Sequence, residues 1–329
     1  MAAPMRHRLL ASLAIAAALA ACAAPRPRKG ATKPKRPVAA GALLVAGEKV
    51  PVALAVVGPD DPGGFDASRE RCFFHPEREL PSAPAPGCDE PRRYGVRSAA
   101  GLPPATAARV TASGFDRAAL AERVDQVVLH YDAAGTSRRC FEVLHDERGL
   151  SAHFLLDVDG TLRQTLDLAH RARHATVSND RSVGIEIAHV GAYPQESSFV
   201  AFYAADPDGR LRLTIPARFG PPPGGPFRPA RDGFLRGTVN GAALVQPDYT
   251  EAQYRTLEAL LPELRRLLPR IGDRVPREPG GAVREDALDA PDLAEFRGVL
   301  GHSHVQRDKH DPGPAFDWDR IEAALRRPR

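Results

Sequence analysis

The chain has 329 residues, enough for one large domain or two small ones. Its hydrophobic content of 43% can bury a substantial core, and 32 prolines with 28 glycines predict long loops around it. Lysine and arginine total 45 against 41 acids, but eight of those cations and no acid lie in residues 1–40, which leaves 37 cations against 41 acids and a net charge of −4 from residue 41 onward. A module that neutralises nucleic-acid phosphates needs a clustered basic face, and this balance argues against that class.

Residues 1–22 read as an export signal. Arg6 and Arg8 precede an apolar run, Leu9 to Ala21, that is broken only by Ser12 and is too short to span a bilayer comfortably. The run stops at Leu19-Ala20-Ala21-Cys22, which resembles a bacterial lipobox and predicts a lipid on Cys22. Residues 23–41 alternate Pro25, Pro27, Pro34 and Pro37 with six cations, a composition that forms an extended tether and favours an anionic membrane surface. These features place the protein in the bacterial cell envelope, on the periplasmic side of the outer membrane. Cys72 and Cys88 enclose a short loop that an oxidising compartment would close as a disulfide. Cys140 is expected to be a buried, unpaired thiol.

The stretch 42–112 is treated as an N-terminal extension: one or two strands in 42–57, then irregular structure from Gly58 to about Pro104. The main domain, 113–329, follows. Val124–Tyr131 is a strand buried on both faces. Thr136 or Ser137 caps a helix that ends at Gly149, with Cys140, Phe141 and Leu144 on one side. Ala152–Asp157 and Thr161–Leu168 flank Asp159-Gly160, a hairpin signal. Along Ser182–Val190, Val183, Ile185 and Ile187 face one way and Gly184, Glu186 and Ala188 the other. Residues 191–246 form an insertion with strands at Leu211–Ile215 and around Asn240-Gly241. Thr250-Glu251-Ala252-Gln253 is a capping box, with Tyr249 and Tyr254 as a staple. Its helix carries Tyr254, Leu257, Leu261, Leu264 and Leu268 on one face, with a kink expected at Pro262. Val299–His302 reads as a short strand leading into the loop 303–314, and a last helix follows Trp318. This alternation predicts an α/β fold with a central mixed β-sheet flanked by helices.

Most of the eleven histidines need only structural partners. His145 lies late in a helix, where a partly charged imidazole suits the dipole, and His153 and His174 suit hydrogen-bonded roles in the strand-rich centre. His130 is different, because it ends a buried strand where an unpaired polar group is costly; a metal or a firm hydrogen bond would each resolve that. Gly301 to Pro314 packs His302, His304, His310, Asp308 and Asp311 into ten positions, nitrogen and oxygen ligands that zinc accepts. Two arrangements are open: a His302-x-His304 pair on one strand face, or His302 with Asp311 after the loop folds back.

These residues fall into an order that resembles the type 2 N-acetylmuramoyl-L-alanine amidases, the zinc family that includes peptidoglycan-recognition proteins. The anchors are Val128-Leu129-His130-Tyr131, Gly149-Leu150-Ser151-Ala152-His153-Phe154, Asp159-Gly160, Arg173-His174-Ala175 with Asn179, Ser182-Val183-Gly184-Ile185-Glu186, Gly301-His302-Ser303 and Lys309-His310-Asp311-Pro312-Gly313-Pro314. The resemblance implies Zn2+ on His130, His302 and Asp311, with Glu186 as catalytic carboxylate and Lys309 stabilising the oxyanion. It implies hydrolysis of the amide between N-acetylmuramic acid and L-alanine in peptidoglycan. An amidase restricted to anhydro-muropeptide fragments and a non-catalytic wall-binding module are the alternatives. The chain departs from the commoner family pattern at Arg173, at His304 and at Asp308, and its 302–311 loop is one residue shorter.

The lipid tether is tested by Cys22→Ser, which should move the protein from the membrane to the soluble fraction. A wild-type protein that fractionates as soluble would remove the tether.

Overall fold

The computed structural model describes residues 40–68 and 93–327. Cys22, the 1–22 signal, all but the end of the tether, and the Cys72–Cys88 pair lie outside those residues. In chain order, β1 (Gly41–Val45) and β2 (Glu48–Val52) precede β3 (Tyr94–Val96), α1 (Pro104–Ser113) and α2 (Arg117–Arg123). The centre holds β4 (Gln126–Tyr131), α3 (Ser137–Phe141) running into a π-helical turn, β5 (Phe154–Leu156), β6 (Leu162–Gln164), β7 (His170–Ala172) and β8 (Ser182–Ile187). Then come β9 (Tyr203–Ala205), β10 (Leu211–Leu213), β11 (Phe234–Val239) and β12 (Ala242–Pro247). The chain closes with α4 (Glu251–Leu267), α5 (Ala290–Glu295), β13 (Gly298–Gly301), α6 (His302–Val305) and α7 (Trp318–Leu325). No helix among the described residues is long and apolar enough to cross a membrane.

Five strands form the central sheet in the order β13-β4-β8-β5-β6. The first four are parallel, and β6 returns antiparallel to β5 around Asp159-Gly160, so the sheet is mixed as expected. Gly160 takes φ +84°, a backbone conformation open to glycine. Because β4 and β8 are paired on both edges and covered on both faces, they need an almost unbroken apolar sequence. On one face Val127, Leu129, Val183, Ile185 and Ile187 pack with Tyr254, Leu257, Leu261 and Leu264 of α4 and Ile321 of α7. The capping box of α4 forms, with the Thr250 hydroxyl accepting from Gln253 N and the Gln253 side chain accepting from Thr250 N. The assigned helix continues through Pro262 to Leu267.

The stretch before residue 113 is built into this core. Leu43, Val45, Val50, Val52 and Leu54 join the cluster beneath α4. The Gln164 side chain exchanges two hydrogen bonds of 2.8 Å with the Leu44 backbone, and Val57 pairs with β6 at Arg163. Residues 38–329 form one compact unit, and the 112/113 boundary falls in the last turn of α1. Helices α1 and α2 fall where no periodic signal is visible in the sequence, since both are short and α1 buries only Thr106 and Val110.

A buried polar link between this segment and the sheet is Arg97, 2% exposed. β3 pairs antiparallel with β7 and delivers the guanidinium to the carbonyls of Leu168 (3.0 Å), Asn179 (3.1 Å), Asp180 (2.9 Å) and Ser182 (2.9 Å). Burial, opposed in part by Asp180, lowers its pKa to about 9, so it stays charged at neutral pH. Arg97→Ala leaves those carbonyls without their donor and should cost about 3 kcal/mol in urea unfolding. The exposed Arg109→Ala should change stability by no more than about 0.5 kcal/mol; equal effects would deny Arg97 its structural role.

Candidate metal centre

Parallel strands end at the same edge of a sheet, so the residues that follow them meet there. His130 is the fifth residue of β4 and pairs in register with Glu186 of β8, which puts both side chains on one face. Leu129 pairs with Gly301, the last residue of β13, so His302 emerges beside His130. A Cβ at Gly301 would lie 2.5 Å from Cδ of Pro312, so the returning loop lies directly against this glycine. Ser303 N donates to Asp311 O at 2.9 Å and fixes that return.

Three atoms converge as a result. Nδ1 of His130 lies 3.1 Å from Nδ1 of His302 and 2.9 Å from Oδ2 of Asp311, and the third edge is 3.1 Å. These residues are the metal-competent His/Cys/Asp/Glu group found among the described residues. Two imidazole nitrogens and a carboxylate oxygen are a zinc donor set, and the edges approach the ~3.3 Å separating ligands on a tetrahedral ion with ~2.0–2.1 Å bonds. All three are nearly buried, His130 at 2%, Asp311 at 7% and His302 at 9% exposure. Inward-facing lone pairs this close repel one another, and a cation between them resolves both that repulsion and the burial of the carboxylate. The residues present fit the ion.

The electrostatics agree. Burial, reinforced by the neighbouring His302, holds His130 below its ordinary pKa and therefore neutral. Burial would raise the Asp311 carboxyl, but the two imidazoles outweigh it and hold the group well below the usual carboxylate range. Glu186 goes the other way: burial raises it well above its ordinary value, and the negative charges of Asp311 and Asp132 add to that. Lys309 sits on the loop with its side chain 37% exposed and Nζ 3.6 Å from Oδ2 of Asp308. Its charge also acts on His130.

The alternative His302-x-His304 pair does not form. The strand ends at Gly301, and His302 opens the short helix α6 instead of closing the strand, so positions 302 and 304 face different ways. Both nitrogens of His304 are engaged, Nδ1 accepting from Gly301 N and Nε2 against Arg284 O, each at 2.8 Å. His310 is not part of the converging group. His153 and His174 are hydrogen-bonded, as their setting implied. His153 Nδ1 accepts from Gly184 N at 3.0 Å, and Nδ1 of His174 lies 3.0 Å from Nε2 of His130.

Residues that sequence reasoning passed over hold the ligand loop. Asn240, at the Asn-Gly turn of the β11–β12 hairpin, donates through Nδ2 to Lys309 O (2.7 Å), Ser303 O (3.0 Å) and Gln306 O (3.3 Å). Gln246 Nε2 and the Tyr249 hydroxyl both donate to Pro312 O, at 3.0 and 2.7 Å. The Asn240-Gly241 pair signalled the turn; nothing in the sequence signalled what it would grip.

A comparison with protein families matches the part of the chain that carries these residues. A family model described as N-acetylmuramoyl-L-alanine amidase matches residues 120–314. No curated protein matches the chain. Among solved structures, a selenomethionine derivative of AmpD is similar at 20% identity over 74% of this chain and 92% of that one, with a TM-score of 0.33. The amidase AmiD from E. coli, in complex with anhydro-N-acetylmuramic acid-L-Ala-D-gamma-Glu-L-Lys, is similar at 17% identity over 61% and 57%, with a TM-score of 0.35. The amidase LysC from Clostridium intestinale is similar at 17% identity over 63% and 87%, with a TM-score of 0.34.

The ligand set is tested by metal analysis of two neighbours. His302→Ala should lose the bound zinc, whereas His304→Ala should retain it and lose stability through the unpaired Gly301 N–H. Zinc lost only from His304→Ala would reverse the assignment.

Proposed function

The chain belongs to the N-acetylmuramoyl-L-alanine amidase family, and from that premise we propose that it hydrolyses the bond between N-acetylmuramic acid and L-alanine using zinc on His130, His302 and Asp311. It is an enzyme, a hydrolase of a linear amide in peptidoglycan. The observation that carries the proposal is the convergence of those three ligands beside Glu186 at the end of the parallel strands. Bound zinc supplies Lewis acidity, activating water and polarising the scissile carbonyl.

The chain's own residues supply the rest. Glu186 shares the face of His130, and its raised proton affinity suits a carboxylate that takes a proton from water and returns it to the leaving amine. Lys309 lies two residues before Asp311 on a loop whose backbone Asn240 holds, and its ammonium suits the developing oxyanion. The Leu19-Ala20-Ala21-Cys22 ending supports a lipid on Cys22 that keeps this site in the envelope near its substrate.

Mass spectrometry after incubation with purified sacculi and with anhydro-muropeptides should detect intact stem peptides beginning at L-alanine. Absence of such peptides from both substrates would end the proposal, and which one is cleaved decides between polymer and fragment. Glu186→Gln should keep zinc and fold while lowering kcat by about 10²–10⁴. Lys309→Ala should keep zinc and lose mainly kcat; a raised KM at unchanged kcat would make Lys309 a substrate grip instead.

A further inference from the structure

His130 heads a hydrogen-bond chain that leads away from the metal centre. Its Nε2, across the ring from Asp311, lies 3.0 Å from Nδ1 of His174. Nε2 of His174 lies 3.2 Å from the Ser182 hydroxyl, and that hydroxyl lies 2.7 Å from the Ser178 carbonyl oxygen. The last link sets the direction of the others. A carbonyl oxygen only accepts, so at this distance the single Ser182 hydroxyl proton is committed to Ser178. The hydroxyl can then offer His174 only a lone pair, and Nε2 of His174 must carry the N–H.

A neutral imidazole protonated on Nε2 has a bare Nδ1. Among the described residues no carboxylate is hydrogen-bonded to His174, whose ring meets His130 and His153 edge-on, so nothing there balances a second ring proton. Its Nδ1 therefore accepts, Nε2 of His130 donates, and Nδ1 of His130 is left as a lone pair facing His302 and Asp311. We propose that Ser182 and His174 are positioning residues that set the tautomer of His130, so that the ring presents Nδ1 to the metal instead of a proton.

The surroundings hold this chain in place. A Cβ at Gly184 would lie 2.7 Å from Cγ of His174, so the glycine is what lets the ring lie against β8. Asn179 Oδ1 accepts from His174 N and Ala175 N at 3.0 and 2.7 Å. Arg97 ties the carbonyls of Asn179 and Ser182 together from beneath. The second imidazole ligand has the same outward contact by a different route, its Nε2 lying 2.8 Å from Oε1 of Gln306 one helical turn on.

This inference rests on the zinc reading of the site, and its test does not use activity. Zinc affinity is measured by chelator competition on the full chain, and histidine tautomers are read by ¹⁵N–¹H correlation on the same zinc-loaded protein. In the wild type His174 should show Nε2–H and a bare Nδ1. Ser182→Ala removes the constraint, so His174 should gain a Nδ1–H population and zinc should bind about tenfold more weakly. His174→Gln, whose carbonyl can still accept from His130, should stay within about threefold of wild type, while His174→Leu should lose about tenfold or more. That second pair carries the test if Ser182→Ala fails to fold. A wild-type His174 protonated on Nδ1, or equal affinity in Gln and Leu variants, overturns the relay. A wild-type protein that binds no zinc would instead sink the reading of the site, and the His174 tautomer would still decide the direction of the chain.

Discussion

The parallel register of β13, β4 and β8 is the constraint on which the site depends. Leu129 opposite Gly301 and His130 opposite Glu186 are backbone pairings, so His130, Glu186 and the entry to His302 are positioned by the sheet ladder itself. A slip of one residue would turn His130 to the face packed by α4 and bury an imidazole among leucines. The apolar pattern of that opposite face, Val127, Leu129, Val183, Ile185 and Ile187 under α4, therefore defines the register for the face of His130 and Glu186 as well. Packing on one side of the sheet specifies chemistry on the other.

The third ligand cannot come from the sheet, and the rest of the fold compensates for that. Asp311 lies on a loop that leaves β13 and returns to it, and loops are held only by what touches them. Here the contacts come from the 191–246 region and the residues just after it: Asn240 on three carbonyls, Gln246 on Pro312, and then Tyr249 on Pro312 as well. The segment before residue 113 does comparable work on the opposite flank, where Arg97 binds the turn between His174 and β8. Both regions read as accessory in the sequence because they lack strong periodicity. Their function is to immobilise side chains that the regular elements do not reach.

Legibility in the sequence followed the same division. The strand of His130, the alternation through Glu186, the Asp-Gly and Asn-Gly turns and the capping box at Thr250 were all readable, because each depends on neighbours in the chain. The choice between His304 and Asp311 was not. It turns on the switch from strand to helix at Gly301, which takes position 304 away from position 302 and sets its ring edge-on to Trp318 at 5.2 Å between centroids. Arg97 was equally silent, since a lone arginine beside a short strand carries no sign that it will be buried among carbonyls. His174 could be placed in the strand-rich centre, but its contact with His130 spans 44 positions and depends on the missing side chain of Gly184.

Charge explains why so much support is needed around so few atoms. Asp311 is held ionised at 7% exposure and Glu186 lies at the same depth, so the site places two carboxyl groups where neither is well solvated. With only protein groups present, burial and the negative charges of Asp311 and Asp132 raise the proton affinity of the second carboxyl. A divalent cation between the imidazoles and Asp311 changes that balance, because it offsets the negative charge that burial makes costly and lowers the penalty for ionising Glu186. The proposed site is then internally consistent: a cation that the three candidate ligands fit would also be the charge that eases ionisation of the neighbouring carboxyl. Burial opposes that effect and keeps the proton affinity of Glu186 up, since a carboxylate too acidic would leave water's proton where it is.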